Sequence, residues 1–186
     1  MTIYVALLRG INVGGHNKVA MTELRNMFQS MGFSRVQTYI QSGNVLFESE
    51  DNAESLRQRL EQEIEKRFSI SLTVILRTAH ELEGIVTNCP VSETMRQEAA
   101  ASSEAETFYV SFLLESPSSE TIERLMSSIS KFDEYWIHDK DVYLLLRGGV
   151  RNSRLANQFA RLRVPSTMRN WGTVNKLNDL AKAMEE

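Results

Sequence analysis

The chain has 186 residues, 42% apolar and 24% charged, with 9 glycines and 3 prolines. A chain of that length buries about 70% of the surface its unfolded form exposes, so a core forms without the help of disulfides or metals. The composition excludes disordered, collagenous and disulfide-rich secreted scaffolds, and the single cysteine, Cys89, has no partner within the chain, as suits a reducing compartment.

Thr2 to Leu8 is rich in β-formers and reads as a buried strand, followed by a glycine-containing loop over 9–18. This apolar opening is too short for a signal-peptide core and far short of the ~20 residues a membrane span needs. A soluble, cytoplasmic chain without membrane association is therefore expected. Met21, Leu24, Met27, Phe28 and Met31 share one face of a helix, with Thr22 as its expected N-cap and Gly32 as its stop. Val36 to Ile40 and Asn44 to Phe47 form two strands around Gln41-Ser42-Gly43, a hairpin signal. A helix starting near Asp51-Asn52 carries Leu56, Leu60, Ile64 and Phe68 at four-residue spacing, and Leu72 to Leu76 follows as a strand. The order is βαββαβ, the ferredoxin-like split motif.

Residues 78–88 look helical and Pro90 ends them, while 92–106 lack apolar periodicity and read as a linker or a polar helix. The pattern then restarts. Thr107 to Leu113 repeats the Thr, Tyr, Val and Leu of Thr2 to Leu8 in place. Ile122, Leu125, Met126 and Ile129 share a helix face; a hairpin follows, Tyr135 to His138 and Val142 to Leu146 around Asp139-Lys140-Asp141; a further helix spans Ser153 to Leu162. The last helix aligns Val174, Leu177, Leu180, Ala181 and Met184. The expected class is α+β, with two ferredoxin-like subdomains in tandem: 1–90, a linker over 91–106, and 107–186 with an extra C-terminal helix.

The net charge of −3 conceals segregation: residues 1–47 carry +3, 48–141 carry −11, 142–178 carry +7 with no acid, and the last eight carry −2. Two readings of the 142–178 segment stand. It forms a local field for phosphate or carboxylate, or its arginines pair with the acidic middle of the chain.

Three segments invite a functional reading. In the first, over 9–18, Gly10 and Gly15 have the spacing of a phosphate loop, but His16 and Asn17 stand where its lysine and hydroxyl belong. What remains is a loop in which Gly10, Asn12, Gly14 and Gly15 let backbone amides approach an anion and Arg9 and Lys18 add charge. The alternative is a strand-to-helix loop that needs positive φ at Gly14 and Gly15. In the second segment, topology brings Gln41, Ser42 and Asn44 to the same end of the sheet as that loop. In the third, Arg169, Asn170 and Trp171 offer a bidentate donor, an amide and a stacking surface, with Thr173 as a possible helix cap. Its other reading is a core tryptophan and an arginine paired with a carboxylate. Catalytic sets are poor. His16, His80 and His138 have no zinc spacing, so no metal is expected; nothing specifies a cofactor. His16 is the one candidate general base, against the plainer reading of a solvated loop histidine.

Leu8-Arg9-Gly10-Ile11-Asn12-Val13-Gly14-Gly15, Thr38-Tyr39-Ile40-Gln41-Ser42-Gly43-Asn44-Val45, and Arg169-Asn170-Trp171 with Thr173-Val174 and Lys176-Leu177 resemble the hallmarks of an uncharacterised bacterial family, domain of unknown function 1697. Gly172 stands where that pattern leads one to expect asparagine. The resemblance implies two ferredoxin-like subdomains and supplies no activity, substrate or catalytic residue.

The function expected is binding of a small phosphorylated or otherwise anionic ligand at the loop after the first strand, with catalysis left open. The alternatives are a single-stranded nucleic-acid-binding module using the basic 142–178 segment, which a pI near 5.7 disfavours, and a protein-interaction module. Fold alone does not choose among them.

Overall fold

The computed structural model describes residues 1–127 and 129–186. Its elements form two plaits of the same topology. In the first, β1 (Thr2–Leu8), α1 (Met21–Ser30), β2 (Ser34–Tyr39), β3 (Asn44–Ser49), α2 (Ala53–Phe68) and β4 (Val74–Thr78) give an antiparallel sheet in the order β2-β3-β1-β4. In the second, β5 (Phe108–Leu113), α5 (Ser119–Met126), β6 (Asp133–His138), β7 (Asp141–Leu146), α6 (Arg154–Ala160) and β8 (Ser166–Asn170) give the order β6-β7-β5-β8. Two helices, α3 (Ala79–Thr87) and α4 (Glu93–Ala101), lie between them in sequence, and α7 (Trp171–Glu185) ends the chain. The α+β class and the tandem ferredoxin-like arrangement are those the element order predicts.

By internal contacts the chain divides into Met1–Gly84 with Asn175–Glu186, and Ile85–Val174, so the divisions fall inside α3 and α7. The stretch 91–106, read from sequence as linker or polar helix, contains α4, capped by Ser92, whose side chain accepts from the Met95 amide.

Local chemistry explains most of the boundaries. Asn52 caps α2 by accepting from the Ser55 amide, Leu56, Leu60 and Ile64 are fully buried on one stripe, and Ser69 ends the helix in the left-handed conformation at φ 56°. Its core meets an aromatic cluster in which Phe47 stands 4.7 Å from Phe33 and 5.2 Å from Phe28, ring centre to ring centre.

Three details differ from the sequence reading. Thr22 does not cap α1; the cap position is Ala20, which has no side-chain bond to give. In α5 only Leu125 is fully buried, while Met126 and Ile129 are 59% and 41% exposed, because the helix ends at Met126, before its apolar stripe is complete. And β8 completes the second plait as βαββαβ. Its buried positions include Ser166, Thr167 and Arg169, so no apolar alternation marks it as a strand.

Candidate functional site

The loop after β1 is a small, self-braced knuckle. Val13 and His16 form an isolated antiparallel bridge, with the His16 amide donating to the Val13 carbonyl at 3.0 Å. Gly14 and Gly15 between them have φ of 59° and 80°, the positive values that a tight two-residue hairpin turn requires. Asn12 is left-handed too, at φ 54°, and its side chain is fully used. Its Nδ2 donates to the carbonyls of Val19 and Gln41, both at 2.9 Å, and its Oδ1 accepts from the Val19 amide at 2.8 Å. Asn17 Nδ2 donates to the Gly10 carbonyl at 3.1 Å.

The hairpin between β2 and β3 meets this knuckle, as the topology predicts. The Leu8 amide donates to the Gly43 carbonyl at 2.9 Å, and the Gln41 carbonyl receives Asn12. Gly43 lies so close that a Cβ there would stand 2.3 Å from Ile11 Cγ2 and 2.9 Å from Leu8 Cβ. Asn44 is buried and donates to the Tyr39 carbonyl at 3.0 Å and to Ser42 Oγ at 2.9 Å.

Of the residues read from sequence as ligand-binding, Arg9, Gly10, Asn12, Gly14, Gly15, Lys18, Gln41, Ser42 and Asn44 are thus gathered at one end of the first sheet. They divide by role. Asn12 and Asn44 are structural braces. Arg9 is half-buried, Gly10, Gly14, Gly15, His16, Lys18 and Gln41 are exposed, and none of the side chains of Arg9, His16 and Lys18 forms an ion pair among the described residues. Val13 and Ile40 are 62% and 48% exposed beside them. His16 has no carboxylate partner among the described residues to orient it as a general base.

The third segment lies in the second unit and is differently placed. Arg169 is buried on β8, donates through Nη1 to Thr167 Oγ1 at 2.8 Å and to the Met168 carbonyl at 2.9 Å, and burial pushes its pKa down to about 10. Asn170, rather than Thr173, caps α7: its Oδ1 accepts from the Thr173 amide at 2.8 Å. Trp171 packs its ring 5.0 Å from Phe108, and the Arg96 guanidinium sits 5.2 Å from the indole.

The basic stretch 142–178 splits likewise. Arg147 pairs with Glu134 at 2.6 Å, whereas Arg151, Arg154, Arg161 and Arg163 are exposed and form no ion pair among the described residues. Arg161 and Arg163 line a cleft of about 290 Å³ with Ser118, Thr121 and Arg124, the last held by Glu120 at 2.5 Å. The central strands β1, β3, β5 and β7 are buried on both faces over nearly all their length, so neither sheet offers the open platform on which plait-type RNA binders stack bases.

Sequence reasoning missed Arg77, which is 2% exposed on β4 and donates through Nη1 to the Leu76 carbonyl at 2.8 Å. The signal was present, since Arg77-Thr78 and Arg169-Asn170 both place an arginine before a capping residue.

Residues 1–143 match the profile of a family described as a protein of unknown function, DUF1697. The chain belongs to this family. Two of the three hallmark segments fall inside the matched residues, and the Arg169 segment lies beyond them. No curated protein matches the chain. Among solved structures, the DUF1697 chain is similar to the conserved bacterial protein SP0830 from Streptococcus pneumoniae, at 27% identity and a TM-score of 0.73, with 97% of this chain and 98% of that one covered. Among the described residues no helix is long and apolar enough to cross a membrane, and no group of three His, Cys, Asp or Glu side chains could hold a metal ion.

Proposed function

We propose that this chain is a binding protein that takes an anionic ligand, a phosphate or carboxylate ester of a small molecule, at the knuckle after β1. The observation that carries the reading is the pair of cations Arg9 and Lys18, with His16 between them, none in an ion pair among the described residues, on a loop whose own asparagines fix its shape. A pre-formed loop loses little conformational entropy when it binds, and the exposed amides of the Gly14-Gly15 turn add donors to the charge. Arg9 and Lys18 supply attraction, and the exposed His16 ring adds a hydrogen-bond donor. The site is open, so the anionic group is recognised at the surface and the rest of the ligand extends away from it.

A low-salt thermal-shift panel of inorganic phosphate, nucleotides, sugar phosphates and polyphosphate tests this on wild type and on an Arg9→Ala/Lys18→Ala double variant. A ligand at ~100 times its dissociation constant stabilises by about 2.7 kcal/mol, an effect easily read. Stabilisation of wild type, lost in the double variant, is the expected result. Equal shifts in both proteins, or none in either, overturn the reading.

Arg151, Arg154, Arg161 and Arg163, exposed and without ion pairs among the described residues, favour a second reading, the binding of a single-stranded nucleic acid along the basic segment. Binding of that kind weakens steeply with salt, by about 0.7 log units of affinity per log unit of salt for each phosphate neutralised. Oligonucleotide affinity that ignores salt, or that survives alanine at all four arginines, removes it.

A further inference from the structure

We infer that the edge strand β6 is a self-association surface, extended by β6 of a second copy of this chain in an antiparallel pair centred on Trp136. The two sheets manage their edges differently. In the first, edge strand β2 is blunted: its pairing with β3 slips between Ser34 and Gln37, and Arg35 adopts φ 53°. A bulge of that kind twists an edge out of reach of a partner. In the second, edge strand β6 pairs with β7 without interruption over all six residues, Asp133 to His138, and contains no proline, glycine or lysine. Its acidic residues, Asp133 and Glu134, stand at the strand's start, and Tyr135 to Ile137 carry no charge.

The register specifies how a second copy would fit. A two-residue turn closes the hairpin on His138 and Asp141, so the pairs 138–141, 136–143 and 134–145 exchange hydrogen bonds. The peptide groups of Tyr135 and Ile137 therefore point outward, to the open side. An antiparallel two-fold needs residues of the same face opposite one another, so it centres on a residue, either 135 or 136. The Asp133 amide is already committed to the Ser130 carbonyl at 3.1 Å, which removes a donor from the arrangement centred on 135. Centring on Trp136 sets Tyr135 opposite Ile137 of the second copy, in a hydrogen-bonded pair, and Glu134 opposite its His138. The first pair joins two half-buried side chains that pack on the core of the second plait, and the second brings an imidazole opposite a carboxylate that Arg147 already holds at 2.6 Å.

An independent observation marks the same edge. Met126, Ile129 and Phe132, in the segment that enters β6, are 59%, 41% and 56% exposed. Met126 is the last residue of α5, Ile129 and Phe132 lie in the connection from it to β6, and Lys131 Nζ stands 5.1 Å from the centre of the Phe132 ring. Exposed apolar groups in the connection that leads into an open strand offer a second copy apolar area to cover in addition to backbone pairing.

The test is sedimentation of wild type over a concentration series, with a disulfide-trapping experiment to fix the register. Cys89, the single native cysteine, is replaced by serine, and cysteine is introduced by Trp136→Cys or Glu134→Cys. Facing residues of a non-hydrogen-bonded pair have Cβ atoms about 4.5–5.5 Å apart, near enough for mild oxidation to join them with slight backbone adjustment. The expected results are a reversible dimer of wild type at ~100 µM, a dissociation constant raised about tenfold or more by Phe132→Asp, and a covalent dimer from Trp136→Cys but not Glu134→Cys. A strictly monomeric wild type at that concentration overturns the proposal. So does a dimer that Phe132→Asp leaves unchanged, or one that Glu134→Cys traps as readily as Trp136→Cys.

Discussion

Arg77 and Arg169 hold the same position in the two plaits. Arg77 stands opposite Val5 of β1 and Arg169 opposite Val110 of β5, and Val5 and Val110 are themselves matching residues of the repeated strand. Each guanidinium donates to the carbonyl of the residue before it. Each arginine also precedes the residue that starts a helix: Thr78 Oγ1 accepts from the Glu81 amide at 3.1 Å, and Asn170 Oδ1 accepts from the Thr173 amide at 2.8 Å. The repeat therefore reaches beyond element order to a particular side chain and its hydrogen bond.

A buried charge with hydrogen-bonded partners is costly to break and cheaper to replace whole. Arg77→Ala and Arg169→Ala are each expected to lower unfolding stability by about 3–5 kcal/mol, since both leave a void and stranded acceptors. Methionine at either position fills most of the volume, so the loss should shrink to about 1–3 kcal/mol. Urea denaturation of the four variants checks this. Equal losses for alanine and methionine would assign the role to hydrogen bonding rather than to packing.

Gly43 is the tightest point of the knuckle. With φ 75° and Ile11 Cγ2 only 2.3 Å from where a Cβ would lie, Gly43→Ala combines backbone strain with a clash against a buried side chain. A destabilisation of about 2–4 kcal/mol is expected. Gly15→Ala is the control: its φ is 80°, but nothing stands within 4 Å, so strain acts alone. That variant should lose about 1–2 kcal/mol. Combining Gly43→Ala with Ile11→Ala should recover part of the deficit, because the added methyl then enters the space vacated. Thermal unfolding of the set measures each step.

How much of this was legible before the structure depends on the kind of signal. Leu56, Leu60 and Ile64 announce a helix by spacing, and Thr107 to Leu113 announces a repeat by matching Thr2 to Leu8. The meeting of the knuckle with the Gln41–Gly43 turn follows from topology once the plait is recognised. The strand β8 was not legible, because its buried side chains are serine, threonine and arginine, whose burial is decided by neighbours distant in sequence. The same limit hid the division of labour at the knuckle. A sequence shows that Asn12 and Asn44 carry amides; only coordinates show that those amides are spent on Val19, Gln41, Tyr39 and Ser42 rather than offered to a ligand. The helical periodicity reaches Met126 but not Ile129, since α5 ends at Met126, and both side chains are exposed because a helix stripe says nothing about whether its own chain covers it.

Asn12 fixes the knuckle through three bonds and a left-handed backbone, and the two contributions can be separated. Asn12→Gly keeps the backbone at ease and removes the bonds; Asn12→Ala removes the bonds and adds strain at φ 54°. The glycine variant should cost about 1–2 kcal/mol and the alanine variant about 1 kcal/mol more. Hydrogen exchange at the Val19 amide, which donates to Asn12 Oδ1, should accelerate in both variants while exchange in α2 stays unchanged. An unaltered Val19 amide would show that the loop holds its shape without Asn12.

Cys89 offers a chemical readout of the second unit. Burial pushes its thiol pKa up, and the Arg96 guanidinium, with Nη1 3.6 Å from Sγ, opposes that shift only in part. The thiol therefore stays protonated at neutral pH, and the thiolate is the species that alkylates. Iodoacetamide at pH 7.4 should modify the native protein about tenfold or more slowly than a free cysteine, whose pKa is about 8.5. Raising the pH should accelerate the native reaction, with its half-maximum above that of the free thiol, because deprotonation must occur against burial. Arg96→Ala removes the nearby positive charge, which disfavours the thiolate further, yet it also uncovers the sulfur. A rate that falls in this variant identifies electrostatics as the controlling factor; a rate that rises identifies access.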